Sequence, residues 1–372
     1  MSEALDKKYK QAAQAIGATF GVSDTLIGIL KYLIEEKYLD FILAFKRQKS
    51  QTMEQLKESS GLSEEEILKN VEVLAKIGLI FNQPNRKGMM VFRLMPFVNV
   101  GIFEYTYMKE LEETEENKEL ANLFKKLMDE GKQRIQANYD AFLGYLKQMR
   151  PIDRTIPYTI NKESGKEIEI IVNEELEAPE EKVLPTQTVE ELIKKFDEIA
   201  VGHCFCRHHK DLLGNPCKQT DVRENCFTFG KSARYTTEQG FARMVSKEEA
   251  LKIIKQAEED GLVHKTYHPN FDITKDETSI CNCCSCCCGQ VGGPTANATN
   301  FISQVNHDIC VGCGTCVEHC HTGTMQLNDE GKAERVGEYC IGCGVCAAFC
   351  PENAISLVEN IRVVRIAPAR AN

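Results

Sequence analysis

Eight cysteines near the C-terminus are spaced as two copies of one pattern: Cys310-x-x-Cys313-x-x-Cys316-x-x-x-Cys320 and Cys340-x-x-Cys343-x-x-Cys346-x-x-x-Cys350. This spacing constrains the fold more than any apolar periodicity in the chain. Three thiolates, each two residues from the next, can wrap one face of a cubane metal–sulfide cluster. The amides of the same loop then turn toward the sulfides. The fourth cysteine lies too far along and begins a helix that leaves the loop, so it serves the neighbouring cluster. The expected quartets are therefore crossed. Cys310, Cys313 and Cys316 go with Cys350, and Cys340, Cys343 and Cys346 go with Cys320. Glycines inside the runs let the backbone approach a cluster without a Cβ clash. Pro351 turns the chain out of the second run, whereas the first has His321 in that place. A zinc site would want paired knuckles rather than two runs of four.

In its spacing the tandem pattern resembles the bacterial two-cluster ferredoxins, and the resemblance implies two [4Fe-4S] clusters and one-electron transfer. The rest of the composition agrees. All 18 cysteines lie at or beyond Cys204 in a chain of 372 residues. A secreted disulfide scaffold would be shorter and would start with a signal peptide. The opening MSEALDKKYKQAAQAIG is polar and charged, and no run of about 18 apolar residues suggests a transmembrane helix. The expected setting is a reducing cytoplasm. Net charge is −10, yet residues 1–150 hold 22 Lys/Arg against 22 Asp/Glu. The acidity thus belongs to the half with the cysteines. It disfavours nucleic acid and suits docking on a basic patch of a redox partner, or simply solubility.

The expected fold class is α+β, with five segments. Residues 1–105 read as a winged-helix-like domain. Thr52–Ser63 reads as a short helix, a turn containing Gly61 and the start of a new helix, and Ser63 and Glu66 make a capping box for that second helix, with Ile67, Val71, Leu74 and Ala75 at helical spacing. Two strands then flank Asn82–Gly88. The first turn of that second helix is Glu64-Glu65-Glu66, which would repel phosphate. Protein docking or a structural role is therefore expected ahead of DNA. Residues 106–150 read as a helical connector, kinked near Gly131. Residues 151–187 read as a hairpin (Tyr158–Ile160 with Ile168–Val172) and an acidic linker, Glu174–Pro185. Residues 188–300 form a cysteine-rich domain, with capping boxes at Thr188/Glu191 and Ser246/Glu249. Residues 301–372 form the dicluster domain.

Ten cysteines lie outside the tandem runs. Cys204, Cys206, Cys217 and Cys226 follow His203 and surround Arg207, and Cys281, Cys283, Cys284, Cys286, Cys287 and Cys288 crowd into one stretch. From about Val183 to Leu357 the chain resembles a family of ferredoxin-like iron–sulfur proteins of strict anaerobes. That resemblance rests on Cys204-x-Cys206-Arg207, Cys217, Cys226, Gly261-Leu-Val-His264, the run Ile280–Cys288 and the tandem quartets. It implies electron transfer without fixing a pathway. The first four of the ten could hold one more cluster, and the second group could hold another or complete the first. Neighbouring side chains diverge, so adjacent cysteines are not all expected to reach one metal. Zinc in four-thiolate sites and a redox-active thiol site are the alternatives. Arg207, His208, His209 and Lys210 are expected to offset thiolate charge. His203 reads as a supporting group or a ligand, and His319 and His321 as surface groups.

No dinucleotide fingerprint, P-loop, H-E-x-x-H or G-x-S-x-G is present. The expected function is an electron-transfer protein, or a subunit of an anaerobic redox enzyme, whose winged helix docks a partner or a second copy of the chain. The alternatives are a redox-sensing transcription regulator and, third, a reductase with substrate at an unusual cluster.

Overall fold

The computed structural model describes residues 3–370 apart from 18–20, 86, 99, 173–187, 270–271, 273–274 and 290–293. The expected linker Glu174–Pro185 and the wing residue Arg86 lie outside these. The chain forms two compact units, each built from separated stretches. One comprises Met1–Asn138, Gly202–Pro216 and Lys231–Met244; the other comprises Tyr139–Val201, Cys217–Gly230 and Val245–Asn372. The units are thus drawn differently from the expected segments. Cys204 and Cys206 fall in the first, while Cys217, Cys226 and the whole 281–288 run share the second with the tandem quartets.

The first unit is mainly helical. Helices Glu3–Ile16, Asp24–Leu33, Met53–Ser60 and Glu64–Lys76 send their apolar stripes into one core with Leu30, Phe45, Leu56, Ile67 and Leu74. Thr52 and Ser63 close their helices with full capping boxes, and Gly61 at φ 71° ends the first of the pair. Three short strands follow the order Ser50–Gln51, Met90–Leu94, Ile80–Pro84. In Ile102–Met108 all residues but Glu104 are buried, so this helix is apolar around its circumference and forms the centre of the core. The long helix Glu115–Ala137 runs straight through the expected kink, with Gly131 buried inside it. The break comes at Asn138 instead, whose φ of −127° leaves the helical region.

The second unit is built on a sheet. Its wholly internal strands are ordered Ile170–Ile171, Ile355–Ile366, Thr295–Val305, Asp153–Ile156, Val263–Tyr267, Ser279–Cys283, Glu224–Phe229. The expected hairpin at 158–172 reduces to a single bridge, Ile160 with Glu167. Ile170–Ile171 pairs in parallel with Leu357–Val358 instead. The two longest strands, Thr295–Val305 and Ile355–Ile366, pair antiparallel with a bulge between Thr299 and Phe301. The bulge receives the second cysteine run. Thr299 Oγ1 donates to the Ile341 carbonyl at 2.8 Å, and a Cβ on Gly342 would collide with the Phe301 carbonyl. The first run is closed by a hairpin, Met325–Leu327 with Ala333–Arg335, whose turn carbonyl at Gly331 leaves no room for a Cβ on Gly312.

Candidate metal centres

Two pockets lie within the tandem runs. One is lined by Cys310, Cys313, Cys316 and Cys350, together with Val311, Gly314, Ala333, Glu352, Ala354 and Ile355. The other is lined by Cys320, Cys340, Cys343 and Cys346, with Ser303, His319, His321, Thr324, Met325 and Ile341 among the neighbours. Each pocket thus has three sulfurs from one run and the fourth from the other.

The sulfurs accept hydrogen bonds from outside their own loops. The Ala333 amide donates to Cys310 Sγ at 3.4 Å, Ala354 to Cys350 at 3.3 Å, and Thr324 to Cys320 at 3.2 Å. Burial raises the Cys320 thiol pKa, but bonds from Thr324, Met325 and Thr322 outweigh it and the net direction is down. Elsewhere burial wins. It pushes Cys316 up to about 11 and Cys343 up to about 12, and Cys346 well above its ordinary value. Bare thiolates are disfavoured in such surroundings, so these sulfurs carry charge comfortably only when a metal shares it. An open space ringed by four soft donors, with amides aimed at them, fits a [4Fe-4S] group in each pocket.

The second run is braced from behind. Buried Asn161 donates through Nδ2 to the Ala347 and Cys350 carbonyls at 2.8 and 2.9 Å. Its Oδ1 accepts from the amides of Glu163 and Ser164. The Tyr158 amide donates to Cys343 O at 2.9 Å, and its ring stacks on His264 at 5.2 Å. Sequence reading missed Asn161, because nothing local in 158–166 marks it as a support for residues almost 190 positions away. His321 was expected on the surface. It is buried, with Nε2 at 2.7 Å from the Gly261 carbonyl. His319 stacks on Phe349 at 4.3 Å.

The 281–288 cysteines divide into two groups. Strand pairing sets Cys281 directly across from Cys226, with the sulfurs 4.0 Å apart. Cys283, on the same strand face as Cys281, bonds to Cys281 and Cys288. Cys284 departs in the other direction. Its sulfur lies 3.6 Å from Cys217, which is also 3.6 Å from Cys286, and Cys286 is 3.6 Å from Cys287. All four of these sulfurs lie within 4.8 Å of one another. Cys217 and Cys226 therefore take different partners, not a common one. Cys283 and Cys284 diverge as neighbours on an extended strand should. Cys286 and Cys287 converge because residues 285–287 form a turn.

Two of the basic groups are placed otherwise than expected. His208 and His209 bond to the carbonyls of Tyr107 and Ala121, both at 2.9 Å, inside the helical core of the first unit. Burial lowers the His209 pKa to about 4, so it is neutral there and offsets no thiolate. Arg207 is wholly buried in the same unit, and His203 packs its ring 5.1 Å from His208. In the second unit a cation beside these cysteines is Lys265, wholly buried and paired with Asp153 at 2.9 Å. Burial opposes its charge, but Asp153 and then the thiolates of Cys283 and Cys288 raise its pKa above the ordinary value. Lys265 lies opposite Cys281 in the strand register.

Among the described residues no helix is long and apolar enough to cross a membrane. Residues 309–355 match the family model described as a 4Fe-4S dicluster domain. Over 33 residues the chain is 46% identical to a probable ferredoxin of Methanosarcina thermophila. That stretch is 9% of this chain and 57% of the relative, so the chain spans little more than half of the protein it matches. No solved structure matches. Residues 309–355 of this α+β chain are a 4Fe-4S dicluster domain, and its cofactors are two [4Fe-4S] clusters.

Proposed function

We propose that the chain is an electron-transfer protein that relays single electrons between a low-potential donor and a partner enzyme. One cluster is held by Cys310, Cys313, Cys316 and Cys350, the other by Cys340, Cys343, Cys346 and Cys320. The supporting observation is the crossed lining of the two pockets. Bound clusters supply reversible one-electron chemistry. The protein's part is to exclude water, direct amides at the sulfurs and expose one end. The first run is the more exposed end: Val311 is 62% exposed and Cys313 is exposed, whereas their counterparts in the second run, Ile341 and Cys343, are 3% exposed and half-buried. The first pocket is therefore the docking side and the second the inner station.

A further metal centre is assigned to the Cys226, Cys281, Cys283 and Cys288 group, of which Cys281, Cys283 and Cys288 pack in one core with cysteines of the tandem quartets. Lys265 is its counter-charge. The winged-helix-like part of the first unit serves protein docking. Its second helix presents Glu64 and Glu65, already paired with Lys57 at 2.7 Å and Lys69 at 2.8 Å, which is poor chemistry for phosphate.

The test uses full-length protein prepared without oxygen, with reduced methyl viologen as donor and cytochrome c as acceptor. Cys313→Ala and Cys343→Ala should each remove one cluster's EPR signal and most of the transfer rate, with the helical content unchanged. A variant that transfers electrons at the full rate overturns the assignment. Iron should reach about eight per chain from the two clusters, and about twelve if the third group holds a cluster as well.

A further inference from the structure

We propose that Cys217, Cys284, Cys286 and Cys287 form a tetrahedral site for one metal ion, and not for an iron–sulfur cluster. The proposal is independent of the electron-transfer reading. Four thiolates bound to one ion at about 2.3 Å stand roughly 3.8 Å from one another, the edge of the tetrahedron they define. The separations of Cys217 from Cys284, Cys217 from Cys286 and Cys286 from Cys287 are all 3.6 Å, and none of the six exceeds 4.8 Å. A cubane takes each thiolate on a different iron and must itself fit between them. In the same unit the tandem quartets instead each line a pocket.

The local backbone supports one ion as well. Cys284, Cys286 and Cys287 come from a single turn, so three ligands are positioned by four consecutive residues. Cys217 enters from a separate stretch, and its sulfur accepts hydrogen bonds from the amides of Gln219 and Thr220. Such bonds stabilise a metal-bound thiolate. Gln219 is fixed in turn by bonds from Nε2 to the Asp260 and Gly261 carbonyls, both 3.0 Å. Leu262 and Ala257 pack beside Cys217 and Cys284. The ion would tie the 284–287 turn to the 217–220 loop. Four thiolates in a tetrahedron suit zinc or a mononuclear iron.

Metal and acid-labile sulfide are measured together in anaerobic full-length protein and in a Cys284→Ser/Cys287→Ser variant. The expected variant loses one equivalent of zinc or iron with its sulfide content unchanged. Zinc and iron analysis says which ion it is. Loss of several irons with a matching loss of sulfide overturns the proposal, as does an unchanged metal content. Cys286 is exposed, so Cys286→Ser tests the site without disturbing the core. In that variant a chelator should extract the ion under conditions that leave it in the parent protein. Equal extraction from both, or anaerobic protein with these cysteines joined as disulfides and no ion, overturns the proposal.

Discussion

The tandem quartets and the Cys217 group pose opposite problems to the chain. In the quartets the protein holds four sulfurs apart around a space. In the Cys217 group it brings four sulfurs together. Keeping thiols apart takes structure from outside the loop: the bulge at Thr299–Phe301, Asn161 behind the second run, and the hairpin over Gly312. Bringing them together takes the turn at 285–287 and the loop of Cys217, braced by Gln219 on the Asp260 and Gly261 carbonyls. A wide site is therefore braced from several elements, while the tight one draws three of its four sulfurs from four consecutive residues and the fourth from a loop 67 positions earlier.

The largest effect separating the two is expected at Gly342. Its φ of 61° and its approach to the Phe301 carbonyl exclude a side chain, so Gly342→Ala should cost about 3 kcal/mol or more. Iron analysis should show the second pocket's cluster lost and the ion of the Cys217 group kept; loss of both would mean that the two sites depend on one another. Asn161→Ala should come next. It leaves the Ala347 and Cys350 carbonyls without their buried donor, at about 1–3 kcal/mol, seen as a lower midpoint in anaerobic denaturant unfolding. An unchanged midpoint would show that the brace is dispensable. The smallest effect is expected for Thr324→Val, which removes a hydroxyl 3.5 Å from Cys320 Sγ. Hydrogen bonds to sulfur raise a cluster's potential, so it should fall, by up to roughly 40 mV for one bond of about 1 kcal/mol. Redox titration followed by EPR reads the shift, and a rise would contradict the proposed ligand set.

The crossed lining of the two pockets was legible because its cause is local: two-residue spacing and loop glycines. The helix expected at the fourth cysteine is misplaced, since Thr315–Glu318 and Val345–Ala348 carry the third cysteine of each run and end before the fourth. The capping boxes at Ser63 and Thr188 were legible for the same local reason. The partition of the other ten cysteines was not. It depends on Cys226 meeting Cys281 across two strands, a register set by long-range pairing. The turn at 285–287 was equally hidden, since cysteine has little turn preference and only its setting bends it. The histidines beside Arg207 misled because charge near thiols looks functional on paper. On the helix Phe205–Leu212 the same residues form the buried face. Gly131 misled in the opposite way. It reads as a breaker, yet it sits buried in helix Glu115–Ala137, where its lack of a side chain suits close packing.

The crossing has a consequence for how the protein is made. As the chain leaves the ribosome, the first loop emerges complete in three of its sulfurs but must wait for Cys350, and Cys320 must wait for the loop at 340–346. Neither metal cage can close ahead of the other by more than a few residues of synthesis. Cofactor loading is thereby deferred to a late, shared step of maturation, and a chain truncated between the two loops would have no finished cage at all.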